Sequence, residues 1–227
     1  MKKLLVTLSL TALVSGSLLA QGKHLFILSG QSNMQALKPE ISFTPAVEKE
    51  FGKDNVTVVK DAQNGAPIRC WFNKYEFPDK REIVGKEKMR IGKKYADLIA
   101  AVKAATDGRT YDSVTFIWMQ GERDAKESLS EAYAQSFTGI LNQLKADLKL
   151  NDINFVIGRI SDFDMENKQY PHWTKIREIQ VKLAEDHPNG EWVDTDDLGG
   201  GLHYPKSGYE TLGERFAEKA IGLTKKK

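Results

Sequence analysis

A serine hydroxyl attacks a carbonyl carbon effectively only when a base, usually histidine, lies within hydrogen-bond reach and donors await the oxyanion that forms. Ser32 stands where such chemistry could be assembled, in the stretch Ile27-Leu-Ser-Gly-Gln-Ser-Asn-Met34. Gly30 lets the chain turn tightly and places Ser32 at the start of a helix, where its own N–H is free to donate. The same pattern also reads as a simple helix cap. A candidate base is His203, at the end of Asp196-Asp-Leu-Gly-Gly-Gly-Leu-His203; of the other histidines, His24 starts a strand and His172 and His187 lie on or beside a helix. Cys70 is the one cysteine, set between Arg69 and Trp71 with no histidine near it in sequence, so it is not expected to act as a thiol nucleophile. Nor do the scattered histidines and the single cysteine have the spacing of a zinc site, and no metal or other cofactor is expected.

Such groups need a scaffold that brings distant segments together. Five apolar, β-rich runs, at 24–28, 56–60, 114–119, 154–157 and 191–194, alternate with longer amphipathic segments at 84–105, 128–148, 171–186 and 206–223. That alternation is the signature of an α/β fold with a parallel sheet and crossover helices. The first, third and fourth runs are almost continuously apolar, as strands covered on both faces must be. In the second helical segment Leu129, Tyr133, Phe137, Ile140, Leu141, Leu144 and Leu148 recur at spacings of three and four, which makes one buried stripe. Between Ala62 and Glu82 glycine, proline, asparagine and aromatic residues take over, predicting a long irregular loop. In open parallel sheets ligands sit beyond the carboxyl ends of the strands. The segments after the first, second, third and fifth strands carry Ser32, Gly65, Gln120 with Glu122, and His203, so one rim should collect all of them.

The first residues differ from the rest. Met1-Lys-Lys precedes an apolar and small-residue run over 4–20, ending at Ala20-Gln21, the pattern of a secretory signal peptide. The run is marginal in length for a retained membrane anchor, so no membrane association is expected after cleavage. Residues 21–227 then suit a single domain. A formal charge of +2, with the one basic cluster at Lys225-Lys-Lys227, gives no footprint for nucleic acid. An exported chain with one cysteine has no internal disulfide and depends on its core. Oligomeric state is not legible.

Four segments resemble, in order, the motif blocks of the SGNH hydrolase superfamily, in the branch containing sialate O-acetylesterases and acetylxylan esterases. They are Gly30-Gln-Ser-Asn-Met34, Asn64-Gly65-Ala-Pro-Ile-Arg-Cys-Trp71, Trp118-Met-Gln-Gly-Glu-Arg-Asp124 and Gly201-Leu-His-Tyr-Pro-Lys-Ser-Gly-Tyr-Glu-Thr-Leu-Gly213. The resemblance implies a three-layer flavodoxin-like sandwich around a five-stranded parallel sheet. It makes Ser32 the nucleophile, His203 the general base, and the N–H groups of Ser32 and Gly65 with the Gln120 side-chain amide the oxyanion donors. Taken alone, Gly65 also reads as an ordinary Asn-Gly turn and Gln120 as a buried amide tying loops together.

One position departs from the pattern. Where the family commonly has an aspartate three residues before the histidine, this chain has Gly200. The orienting acid could then be Asp197, with Asp196, Glu122 or a backbone carbonyl as alternatives; Asp196 and Asp197 also read as a solvated strand end, and Glu122 and Asp124 as braces through Arg123 or Arg69. Arg69 with Trp71, Phe72 and Tyr75 suits a flat polar ring such as a sugar, and Arg69, Trp71 and Glu122 are candidate substrate contacts; a loop folded on its own small core is the other reading. The expected activity is removal of O-acetyl groups from a carbohydrate such as acetylxylan, sialic acid or a related glycan, the acetyl group resting on the resemblance alone. The alternative, raised by Gly200, is a carbohydrate-binding protein without catalysis.

Overall fold

The computed structural model describes residues 22–226, so the export signal expected at 1–20 lies outside the described residues. Five strands, β1 (His24–Gly30), β2 (Val56–Ala62), β3 (Ser113–Met119), β4 (Asn154–Gly158) and β5 (Gly190–Val193), form one sheet in the order β2-β1-β3-β4-β5. Every pairing is parallel, with His24 opposite both Val56 and Ser113. All five expected strands are present, and β1 and β2 run two residues further than expected. The helices are α1 (Ser32–Ala36), α2 (Phe43–Phe51), α3 (Gly85–Lys88), α4 (Lys93–Thr106), α5 (Glu122–Lys126), α6 (Tyr133–Leu148), α7 (Trp173–Glu185) and α8 (Lys206–Lys225).

Side chains alternate across the strands, and the two faces build two cores. Leu25, Ile27, Phe116, Trp118, Phe155 and Ile157 face α4, α6 and α7, meeting Leu98, Phe137, Ile140 and Ile176. Phe26, Leu28, Ile117, Met119 and Val156 face α2 and α8, meeting Phe43, Val47, Leu212 and Phe216. The result is the parallel α/β fold expected from the alternation of runs, in the three layers that the resemblance implies.

Two helical expectations needed correction. The segment 84–105 is divided into α3 and α4 because Gly92, at φ 67°, takes a left-handed conformation just before α4 begins. Helix α2 was not expected at all: Pro45 reads as a breaker, yet it falls in the first turn, where the missing N–H has no intrahelical partner to lose. Phe43, Val47 and Phe51 then lie four apart on one buried face, with the Phe43 and Phe51 rings 5.6 and 6.3 Å from that of Phe26.

Strand order reverses between β1 and β3, the switch point at which a crevice must open beyond the strand ends. At that point Gly30 is obligatory: a Cβ there would lie 2.0 Å from the Met119 carbonyl oxygen. The Gln31 N–H donates to that same carbonyl at 2.9 Å, so the first turn after β1 is fastened to the end of β3.

Candidate active site

Ser32 is the first residue of α1, and His203 lies in the loop joining β5 to α8. The sheet brings the two together across 171 residues of chain, with Ser32 Oγ and His203 Nε2 2.9 Å apart. They line a cavity of about 430 Å³ over the switch point, together with Gln31, Gly65, Glu122 and Tyr170 among others. The N–H groups of Ser32 and Gly65 make no hydrogen bond within the described residues, and Gly65 holds φ 62° with open space where a Cβ would be. A serine hydroxyl, an imidazole and two unspent backbone donors therefore share one pocket.

Gln120, expected as a third oxyanion donor, is placed elsewhere. It is fully buried, and its Nε2 is committed to Asp124 Oδ2 at 2.5 Å, with Gln31 Oε1 and the Ala66 carbonyl at 3.2 and 3.3 Å. Two N–H bonds facing three acceptors leave nothing for a substrate. The residue braces the loop beneath the cavity. Asp124 completes that brace by accepting the Ile68 N–H at 2.8 Å, which fixes the segment following Gly65. Burial pushes the Asp124 carboxyl up to about 6.

Nor does the structure bring Asp197 to His203. Both its oxygens accept from the Arg215 guanidinium at 2.6 Å, and that pairing holds its carboxyl below the usual range. Asp196 is taken by Arg177 at 2.8 and 2.9 Å and by Arg159 at 2.7 Å; although burial pushes its carboxyl up, the two guanidiniums outweigh it and hold it low. The acids of this loop anchor its backbone. Among the described residues nothing bonds His203 Nδ1, so the orienting role expected of Asp197 is unfilled by direct contact.

Glu122 does reach the cavity but is 2% exposed. Burial pushes its carboxyl up to about 7, opposed by backbone N–H groups and the Asn33 amide and reinforced by Asp124. Its Oε1 accepts from Asn33 Nδ2 at 2.8 Å, while Oε2 has no hydrogen-bond partner.

The sugar platform expected of Arg69 and Trp71 is also corrected. Trp71 is fully buried, edge-on to Trp118 at 5.1 Å, with its Nε1–H donating to Ser29 Oγ at 3.0 Å. Arg69 is 2% exposed and bridges Glu127 at 2.7 Å and Glu87 at 2.8 Å. Phe72 and Tyr75 are buried with them. The long loop after β2 packs its aromatic side chains into the core shared with Trp118 and Phe137, and only its Asn64-Gly65 tip enters the cavity. The aromatic faces at the mouth are instead Tyr170 and Tyr209, with Arg123 and Lys126 beside them. Tyr170 comes from the loop after β4, where no motif marks it, while Arg123 and Tyr209 stand inside the third and fourth segments without a substrate contact having been expected of them. Tyr170 is turned inward because Asp164 accepts the N–H groups of Lys168, Gln169 and Tyr170 at 2.6 to 3.0 Å. Asn33 was also missed, although it adjoins Ser32 in the first motif.

The family model for carbohydrate esterase, sialic acid-specific acetylesterase, matches residues 35–222. The chain belongs to this esterase family. No curated protein matches the esterase. Among solved structures, one of a protein from Arabidopsis thaliana aligns with TM-score 0.64 at 18% identity, covering 88% of this chain and 98% of that one. A structure described as a novel carbohydrate acetylesterase from Xanthomonas citri aligns with TM-score 0.66 at 16% identity, over 89% of this chain and 56% of that one. The structure of NanS aligns with TM-score 0.62 at 14% identity, over 91% and 99%. At these identities the likeness is one of fold, and the esterase has the SGNH hydrolase fold.

Proposed function

We propose that this esterase is an exported enzyme that removes O-acetyl groups from carbohydrate through an acyl-enzyme on Ser32. One observation carries the reading: the 2.9 Å contact between Ser32 Oγ and His203 Nε2 inside a cavity that also presents two unspent N–H donors. Ser32 Oγ attacks the ester carbonyl as His203 Nε2 takes its proton, and the N–H groups of Ser32 and Gly65 receive the oxyanion. The tetrahedral species collapses, His203 returns the proton to the departing sugar oxygen, and acetyl remains on Ser32. Water then attacks that ester with His203 again as base, releasing acetate and restoring the hydroxyl.

The pocket supports a small acyl group on a polar alcohol. It is lined mainly by polar and aromatic side chains and contains no run of aliphatic residues to accept a long acyl chain. A neighbouring hollow of about 310 Å³ shares Ala36 and Tyr209 with it, which gives room for further units of a glycan. The family description and the Xanthomonas citri relative's name both point to acetylated carbohydrate as the substrate class. Export rests on the character of residues 1–20.

The unbonded His203 Nδ1 favours one second reading, a glycan-binding protein without turnover. The two are separated by measuring acetate release from p-nitrophenyl acetate, acetylated xylan and O-acetylated sialic acid with the native protein and Ser32→Ala. Loss of release in the variant supports the esterase; equal rates in both proteins, with glycan binding retained, establish the binding protein.

A further inference from the structure

His203 meets Ser32 through Nε2 while its other ring nitrogen has no partner among the described residues, so whatever holds the imidazole must act on the backbone that carries it. The carbonyl of Leu202, one peptide before His203, accepts from Asn33 Nδ2 at 3.0 Å. The same Nδ2 donates its second hydrogen to Glu122 Oε1 at 2.8 Å. On the other side of the amide, Asn33 Oδ1 accepts the Tyr209 hydroxyl hydrogen at 2.9 Å. Every hydrogen-bonding group of the Asn33 side chain is thus engaged. Its orientation is set by Glu122 together with the Leu202 carbonyl, because an ionised carboxylate, like a carbonyl, only accepts and so demands the NH₂ end.

We propose that Glu122 is a positioning residue for ester hydrolysis, holding His203 within reach of Ser32 through the Asn33 amide rather than by touching the imidazole. The inference rests on the esterase reading above. A carboxylate enclosed to 2% exposure is costly to keep, and an amide or apolar side chain would cost less if the position served packing alone. The chain of contacts also joins the three separated segments of the site, since Asn33 adjoins the nucleophile, Glu122 follows β3 and Leu202 adjoins the base.

Protonation of Glu122 replaces a charge-assisted bond to Asn33 with a weaker one and loosens the amide's hold on the Leu202 carbonyl. The charged and titratable groups around this carboxyl are Asp124 on its own helix, Tyr133 of α6, Tyr170, Tyr204 before α8 and Tyr209 on it. Arg123, Lys126 and His203 line the cavity with it. With the carboxyl pushed up to about 7 by burial, activity should rise with pH through that region as Glu122 ionises.

The test is a set of pH–rate profiles on p-nitrophenyl acetate for the native esterase, Glu122→Gln, Glu122→Ala, Asn33→Ala and the double alanine variant, with thermal melts for each. Glu122→Gln keeps an oxygen for Asn33, so it should stay folded, lose roughly tenfold in kcat above pH 8 with KM unchanged, and lose one ionisation from the acid limb. Each single alanine variant should lose about 100-fold in kcat, as expected for a misplaced base, and the double variant no more than either. Three results would overturn the proposal: Glu122→Gln keeping native kcat and the full acid limb, multiplicative losses in the double variant, or a rise in KM alone. A native protein with no Ser32-dependent hydrolysis would instead sink the esterase reading itself.

Discussion

Asp197 and Arg215 form a two-point ion pair, each carboxylate oxygen 2.6 Å from one guanidinium nitrogen, and so the acid nearest in sequence to the expected triad position is spent on α8. The Asp197 side chain is 66% exposed and the Arg215 side chain 31%, and pairs in such settings contribute little. Replacing the orienting acid of a working triad costs about 10⁴-fold in rate. Asp197→Ala should therefore keep kcat within about fivefold of native on p-nitrophenyl acetate, consistent with loss of a weak surface pair. A loss near the triad figure would mean that Asp197 leaves Arg215 to serve His203 during the reaction.

The nucleophile and base should behave as one unit. Ser32→Ala and His203→Ala are each expected to lower kcat by up to about 10⁶-fold, with the double variant no slower, because neither group acts without the other. Steady-state rates and the missing acyl-enzyme burst would report this.

The strands were legible because they depend on local pattern, while Ser32, Gly65 and His203 were singled out by the motif resemblance. Short β-rich apolar runs such as Phe116-Ile-Trp118, alternating with amphipathic segments, read as buried strands, and Gly30 before Ser32 announces a turn that the 2.0 Å approach of Met119 then requires. What was not legible depends on which way a side chain faces. Trp71 and Arg69 have the composition of a sugar site, yet the loop closes over them, and an exposed and a buried loop aromatic look alike in sequence. Gln120 and Asp197 were misread because their partners, Asp124 and Arg215, are chosen by how the loop and α8 pack, which residue type does not reveal. Tyr170 could be recognised only through Asp164, whose capping of three N–H groups is a feature of the folded loop.

Trp71 supplies a test of that correction. A sugar platform, once truncated, would raise KM and leave the fold intact. A fully enclosed indole bonded to Ser29 should instead cost stability, about 3–5 kcal/mol for Trp71→Ala. Denaturant unfolding should show the loss, and any residual enzyme should retain a near-native KM. A stable variant with raised KM would return Trp71 to the binding surface.

Glu122 and Asp124 should also leave a mark on stability as a function of pH. Both carboxyls are raised by burial, to about 7 and about 6, so the folded state binds their protons more tightly than the unfolded chain does. Where the folded state holds more protons, unfolding free energy falls as pH rises. The window runs from ordinary carboxyl values, near pH 4, up to the raised ones near 7. Over it Glu122 alone should remove on the order of 3 kcal/mol, since one pKa unit is worth about 1.4 kcal/mol. Acids held low, such as Asp196 with its two arginines, contribute in the opposite sense and lose their stabilisation only as pH falls through their folded values. The two contributions separate by difference. Native protein minus Glu122→Gln, each unfolded by urea at pH 5, 6, 7 and 8, should show the native chain losing relative stability up to about pH 7 and levelling off beyond it. A flat difference would mean that Glu122 titrates at an ordinary carboxyl value in the folded protein, and that the buried carboxyl is relieved by a contact other than Asn33.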